Sequence, residues 1–156
     1  MAYDAAMLRY VVDEINRTLT GGKVDKIYQP GKEEAVFVIR AGGGEHRLDI
    51  SAGGNGSRMN LTSLKPENPA TPPMFCMMLR KHFSGARFAG AVQLGFERAA
   101  RLVFDTHDEM GFSTRKHVIV ELMGRFSNII VTDAEDKIIG VLKPVDFTTS
   151  ERRAER

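Results

Sequence analysis

The sequence predicts an α+β fold with a mostly antiparallel pair of sheets and two amphipathic helices. Three observations predict it. Apolar residues recur at helical period near the start and again after residue 72, while the stretches between and beyond repeat with period two or run as short β-branched segments. The order is helix, strands, helix, strands, without the strict strand–helix alternation of a doubly wound parallel sheet. Glycine, proline and aspartate clusters cut the remainder into roughly eight or nine strands.

The first helix spans about residues 4–20. Leu8, Val11, Val12, Ile15 and Leu19 form one apolar stripe. Asp4 suits the N-cap, and Gly21-Gly22 the C-terminal stop. Asp13, Glu14, Asn16 and Arg17 lie off the stripe and are expected to face water. Lys23 to Tyr28 reads as a short strand, and Gln29-Pro30-Gly31-Lys32 as a turn. Ala35–Arg40 and His46–Ser51, joined through Ala41-Gly42-Gly43-Gly44, read as a hairpin. A glycine-rich loop at Gly53, Gly54 and Gly56 precedes a short strand at Arg58–Leu61.

Pro66, Pro69, Pro72 and Pro73 make an extended connector. Pro72-Pro73 is expected to open the second helix, about residues 72–84, because proline suits a first helical turn. Phe75, Met78, Leu79 and His82 lie on one face, the first three of them predicted core, and Gly85 ends the helix. Five more strands are predicted at Phe88–Phe96, Ala99–Asp105, His117–Met123, Asn128–Thr132 and Lys137–Leu142. The charged stretch Asp146–Arg156 reads as a linker or a cut, which leaves residues 1–145 as the domain.

The 156 residues suffice for one domain with a proper core. Twenty-two basic against 20 acidic residues give a net charge of +2, too balanced for a nucleic-acid-binding tail or a polybasic membrane anchor. Any basic footprint is therefore local, and residues 80–125 carry a mild excess of it. One cysteine, Cys76, excludes an internal disulfide framework. Neither a signal peptide nor a membrane-length apolar run is visible, so a cytoplasmic location and no membrane partner are expected.

Enzyme motifs are sparse. The glycine-rich stretches lack the Lys-Ser/Thr of a phosphate loop. His46, His82, His107 and His117 have no metal-ligand spacing, so no metal and no cofactor are expected. Cys76 sits among Met74, Met77 and Met78 without a base and reads as a packing thiol. Two places are less ordinary. Glu97-Arg98 sets adjacent charges beside an apolar strand, which suits either a sheet edge or the presentation of a guanidinium to RNA. Glu121 interrupts the apolar strand before Leu122-Met123-Gly124-Arg125. There Arg125, Ser127 and Asn128 offer donors for phosphate or sugar, although a capped hairpin turn with a solvated arginine would read the same.

Three ordered strings carry a resemblance: Gly21-Gly22-Lys23-Val24-Asp25-Lys26-Ile27-Tyr28-Gln29-Pro30, the stretch from Glu67 to His82, and Val120 to Ile130. Together the chain resembles the NFACT N-terminal domain, shared by the RqcH, NEMF and FbpA fibronectin-binding-like proteins. The resemblance implies a β-sandwich with helices, similar to the N-terminal domain of formamidopyrimidine-DNA glycosylases. It implies binding to tRNA, with alanyl-tRNA expected, and to the large ribosomal subunit carrying a stranded peptidyl-tRNA, to direct untemplated alanine tailing. The chemistry would belong to the ribosome, so the chain is not expected to be an enzyme. A fibronectin-binding surface adhesin is the alternative.

The family's acidic–arginine pair falls on Glu97 and Arg98, with Glu where the family usually has Asp. Its Glu-Ile-Met and Gly-Arg patch falls on Glu121, Leu122, Met123 and Arg125, with Leu replacing Ile. These six residues are the expected tRNA- and ribosome-binding positions. The glycosylases' N-terminal proline and glutamate are missing from Met1-Ala2-Tyr3-Asp4, so no action on DNA is expected. Complete family members carry further domains, which implies that this chain is an excised part.

Overall fold

A computed structural model describes residues 4–53, 56–65, 67–95 and 98–144. Its first helix, α1 (Ala5–Leu19), buries the predicted stripe of Leu8, Val11, Val12, Ile15 and Leu19. The Asp4 carboxylate caps it, accepting from the Met7 N–H at 2.8 Å. The helix ends at glycine for two distinct reasons. Gly21 lies at φ +85°, where a side chain is strained. A Cβ on Gly22 would come within 2.7 Å of Ile39 Cγ2 and 2.8 Å of the Leu19 carbonyl oxygen. Asn16 departs from expectation. Its side chain does not simply face water but clamps a distant strand residue, donating to the Ala91 carbonyl at 2.9 Å and accepting from the Ala91 N–H at 2.7 Å.

Four strands follow: β1 (Lys23–Gly31), β2 (Glu34–Ala41), β3 (Gly44–Ser51) and β4 (Arg58–Thr62). Gln29, Pro30 and Gly31 belong to β1, so the expected turn shifts to Lys32–Glu33. Proline is tolerated because the β1–β2 register is irregular between Tyr28 and Gly31, where no ladder donor is required. The second helix, α2 (Met74–Phe83), starts after both prolines. Pro73 is its extended N-cap rather than a helical residue, at φ −62° and ψ 160°. The buried stripe of α2 is Cys76, Leu79 and Phe83, while Phe75 and Met78 pack only half-buried against the core. The remaining strands are β5 (Arg87–Gln93), β6 (Ala99–His107), β7 (Ser113–Glu121), β8 (Asn128–Thr132) and β9 (Ile138–Val141). Phe96, Glu97 and the charged stretch 146–156 lie outside the described residues.

All nine strands join one antiparallel sheet in the order β4-β3-β2-β1-β5-β6-β7-β8-β9. The β1–β5 seam is narrow, with Lys23 opposite Arg87 as its single register pair. The sheet folds over on itself there. Strands β3 and β9 stand seven steps apart in the order, which at ~4.8 Å per step would separate them by roughly 34 Å in a flat sheet. Yet Lys143, just beyond β9, donates to the carbonyl of Ala52, just beyond β3, at 2.6 Å, and pairs with Glu33 at 2.7 Å. The two halves therefore face each other as the layers of a sandwich.

Between the layers, Phe37 of β2 stacks on Phe104 of β6 at 5.7 Å, and Phe83 of α2 lies 5.0 Å from Phe104. Helix α1 packs chiefly on β5 and reaches β2, β4 and β6, while α2 packs on β1, β6 and β9. Each helix thus closes contacts to both halves of the folded sheet. The predicted α+β class, antiparallel pairing and two helices are what the structure has.

Candidate nucleic-acid interface

The two charged patches of the sequence meet because β6 and β7 pair along their whole length. Ala99 stands opposite Glu121, and the Leu122 N–H donates to the Arg98 carbonyl at 2.8 Å, extending the ladder one residue past the strand ends. Arg98 therefore borders Leu122 and Met123 at one end of the folded sheet. The chain next makes one tight helical turn at Gly124–Phe126, entered through Gly124 at φ +58°. Arg125 lies in that turn. Glu97 falls outside the described residues.

The expected surface is only partly a surface. Glu121 is 1% exposed and Leu122 fully buried, so neither offers its side chain directly to a ligand. Leu122 continues the inward alternation of Val118 and Val120 and belongs to the core. Ser127 and Asn128 are also buried and do not present donors outward. The Asn128 amide is spent on the chain leaving β9. It accepts from the Lys143 N–H at 2.9 Å and donates to the Lys143 carbonyl at 3.0 Å, as a backbone pair would. What remains accessible is the half-buried Arg98 and Met123, and Phe126 at 59% exposure.

Phe126 is the residue that sequence reasoning missed. Its signal was an aromatic directly after Gly-Arg in a turn, where no core position is available. An exposed ring suits stacking on an unpaired base.

On the face of β6 and β7 opposite to Leu122 lies a second polar group. Register pairs Arg101 with Ile119 and Val103 with His117. Asp136, in the turn between β8 and β9, sets Oδ1 3.6 Å from both Arg101 Nη2 and His117 Nδ1. Burial pushes the His117 imidazole below its usual pKa, and the Arg101 charge pushes the same way while Asp136 opposes it. Cys76 is buried and donates weakly to the Ile27 carbonyl at 3.6 Å, and burial raises its thiol, as befits a packing residue. Among the described residues no group of three or more His, Cys, Asp or Glu gathers to hold a metal ion. No described helix is long and apolar enough to cross a membrane.

Residues 4–154 match the family model described as NFACT N-terminal and middle domains. The chain belongs to this family. The NFACT domain described here is 40% identical over 139 residues to the Rqc2 homolog RqcH of Bacillus subtilis, covering 89% of this chain and 24% of that protein. It is 31% identical to the human ribosome quality control complex subunit NEMF, over 92% of this chain and 12% of that one. Among solved structures, the N-terminal domain of fibronectin-binding protein PavA from Streptococcus pneumoniae superposes with a TM-score of 0.89 at 35% identity, over 94% of this chain and 56% of that chain. The N-terminal part of the fibronectin/fibrinogen-binding protein of Streptococcus suis gives a TM-score of 0.90 at 35% identity, over 96% of this chain and 56% of that one. The NFACT chain thus spans about a quarter of the bacterial RqcH relatives it matches. Its kinship is with a ribosome quality-control family.

Proposed function

We propose that this NFACT domain binds tRNA and the large ribosomal subunit carrying a stranded peptidyl-tRNA. In that role it is a module of a factor directing untemplated C-terminal alanine tailing in the cytoplasm. The observation that carries the reading is the convergence of Arg98 with the Met123–Phe126 turn at one end of the sheet, in a chain of this family. Arg98 and Arg125 are the guanidinium donors, since a planar fork reaches phosphate oxygens and stacks on bases. Glu97 is proposed to orient them or to accept a base amino or ribose hydroxyl proton. Glu121 and Leu122, being buried, hold the turn in place rather than touch RNA. Bond making is left to the ribosome, and the domain selects and positions.

Arg98→Ala is expected to abolish tRNA co-purification and tailing while leaving the melting transition unchanged. If Arg98→Ala and Arg125→Ala both fold, retain tRNA and support tailing like the parent, the site is wrong. The names of the streptococcal structural relatives favour a second reading, a fibronectin-binding adhesin. Sedimentation from lysate with large ribosomal subunits, set against retention on immobilised fibronectin, separates the two.

A further inference from the structure

A second cationic feature lies far from the Arg98 end. Strand register lines up one unbroken row of charged side chains across six strands. Glu45 of β3 is opposite Arg40 of β2, Arg40 opposite Lys23 of β1, and Lys23 opposite Arg87 of β5. Arg87 is in turn opposite Asp105 of β6, and Asp105 opposite Arg115 of β7. Opposed residues share a sheet face, so all six project to one side, and all six are exposed.

The ends of the row neutralise themselves. Arg40 pairs with Asp25 at 3.3 Å and Glu45 at 3.6 Å, and Arg115 pairs with Asp105 at 2.8 Å. The middle does not. Among the described residues no carboxylate lies within ion-pair distance of Lys23 or Arg87. Arg87 instead donates to the Gly21 carbonyl at 3.2 Å. Like charges directly opposite one another destabilise a sheet. Here they are set side by side at the seam, where Lys23 and Arg87 form the single register pair between β1 and β5.

Beside Arg87 opens a cleft of about 370 Å³, lined by Arg40, Arg87 and the turn Gly42-Gly43 among others. Both turn glycines sit at positive φ, 61° and 80°, and a Cβ on either would meet nothing within 4 Å. The turn is therefore low and unobstructed, and a ligand backbone can approach closely.

We propose that Lys23 and Arg87, beside this cleft, form a site for the phosphodiester oxygens of an RNA backbone. The site is distinct from the Arg98 end and indifferent to base identity. This rests on the RNA-binding reading given above. Ala99 and Asp105 lie six residues apart on one face of β6, so the two sites are separated by roughly 20 Å at ~3.3 Å per residue. One folded RNA can reach both. The Arg98 end would read bases and ribose, and the seam would hold backbone and fix orientation.

The test is the salt dependence of RNA binding by the full chain, using a purified tRNA and an unrelated RNA hairpin. Each phosphate contact adds about 0.7 to 0.9 to the slope of log affinity against log salt. The double variant Lys23→Gln/Arg87→Gln is expected to lower that slope by about 1.4 to 1.8 for both RNAs. The fold-loss of affinity between 50 and 200 mM salt then shrinks roughly tenfold. Its melting temperature is expected to hold or rise, because two opposed charges are removed. Arg98→Ala is expected to weaken tRNA more than the hairpin.

If the double variant keeps the parent slope while Arg98→Ala still loses tRNA, the seam site is refuted and the RNA-binding reading stands. If the parent chain binds neither RNA, both fall. Inorganic phosphate serves as the control for source. Protection of the cleft by millimolar phosphate with an unchanged RNA slope in the double variant means a free-anion site, and overturns the RNA assignment.

Discussion

Glu34 and Asp49 are two carboxylates on neighbouring strands that the fold brings together under Arg58. Arg58 donates to Asp49 Oδ2 and to the Asn60 side chain, both at 2.8 Å. The other Asp49 oxygen is buried without an N–H donor. Hydrogen bonding to the Asp49 side chain, burial and the Asp49 charge raise the Glu34 pKa to about 7 from an ordinary 4.5, against the pull of Arg58. The folded state then holds a proton that the unfolded state releases. Stability from this group is accordingly highest below pH 4.5, declines as pH rises through about 7, and is gone only above that. Glu34→Gln is expected to flatten that part of the stability profile between about pH 5 and 7 in denaturant titrations. An unchanged pH profile would show that Glu34 holds no such proton. At the same scale, the contrast between Arg98 and Glu121 separates a residue that can touch a ligand from one that can only hold its neighbours. Both stood out in the sequence as charges against apolar strands, but burial, which depends on what packs above a strand, assigns them different work.

Helix α2 shows how an element can be found correctly and oriented one residue off. The predicted face began at Phe75, whereas the buried stripe runs Cys76, Leu79 and Phe83. A ten-residue helix with Phe75, Cys76, Met77, Met78 and Leu79 in succession is apolar on most sides, so periodicity alone cannot choose the core face. Phe83 decides it, because its ring fits between Phe37 at 6.3 Å and Phe104 at 5.0 Å. Leu79 belongs to both faces and is fully buried. Leu79→Ala is expected to cost ~2–5 kcal/mol through lost transfer energy and the cavity left behind. A loss under about 1 kcal/mol by denaturant titration would mean that the helix does not seat as described. The β7–β8 connection is the second instructive element. Its Ser127 and Asn128 looked like ligand donors, yet Asn128 fastens the end of β9 through both of its amide atoms.

For the molecule as a whole, the question is what keeps a nine-stranded sheet folded over a seam with a single register pair. Lys143 links the β9 edge to the end of β3 and the β1–β2 turn, but its partner Glu33 has a side chain 46% exposed, and solvent-screened pairs contribute only about 0–1 kcal/mol. Phe104, fully buried, touches Phe37 across the layers, Phe83 of α2 and Phe88 of β5. Its truncation is expected to cost ~3–5 kcal/mol. Lys143→Ala is therefore expected to shift the denaturation midpoint slightly and Phe104→Ala severely. The reverse order would show that the edge contact, not the aromatic core, holds the layers together.

From the sequence by itself came the α+β class, both helices, all nine strands to within a few residues of their ends, and membership in the family. Those features rest on local period, turn residues and short motifs, which need no knowledge of distant contacts. Only the tertiary structure decided which face of α2 is core and that Glu121 and Leu122 lie inside. It likewise decided that Asn16 and Asn128 act as clamps and that Lys23, Arg40 and Arg87 share one row. Cross-strand register and burial are set by pairing between segments up to 64 residues apart, as for Lys23 and Arg87, and no local pattern encodes them.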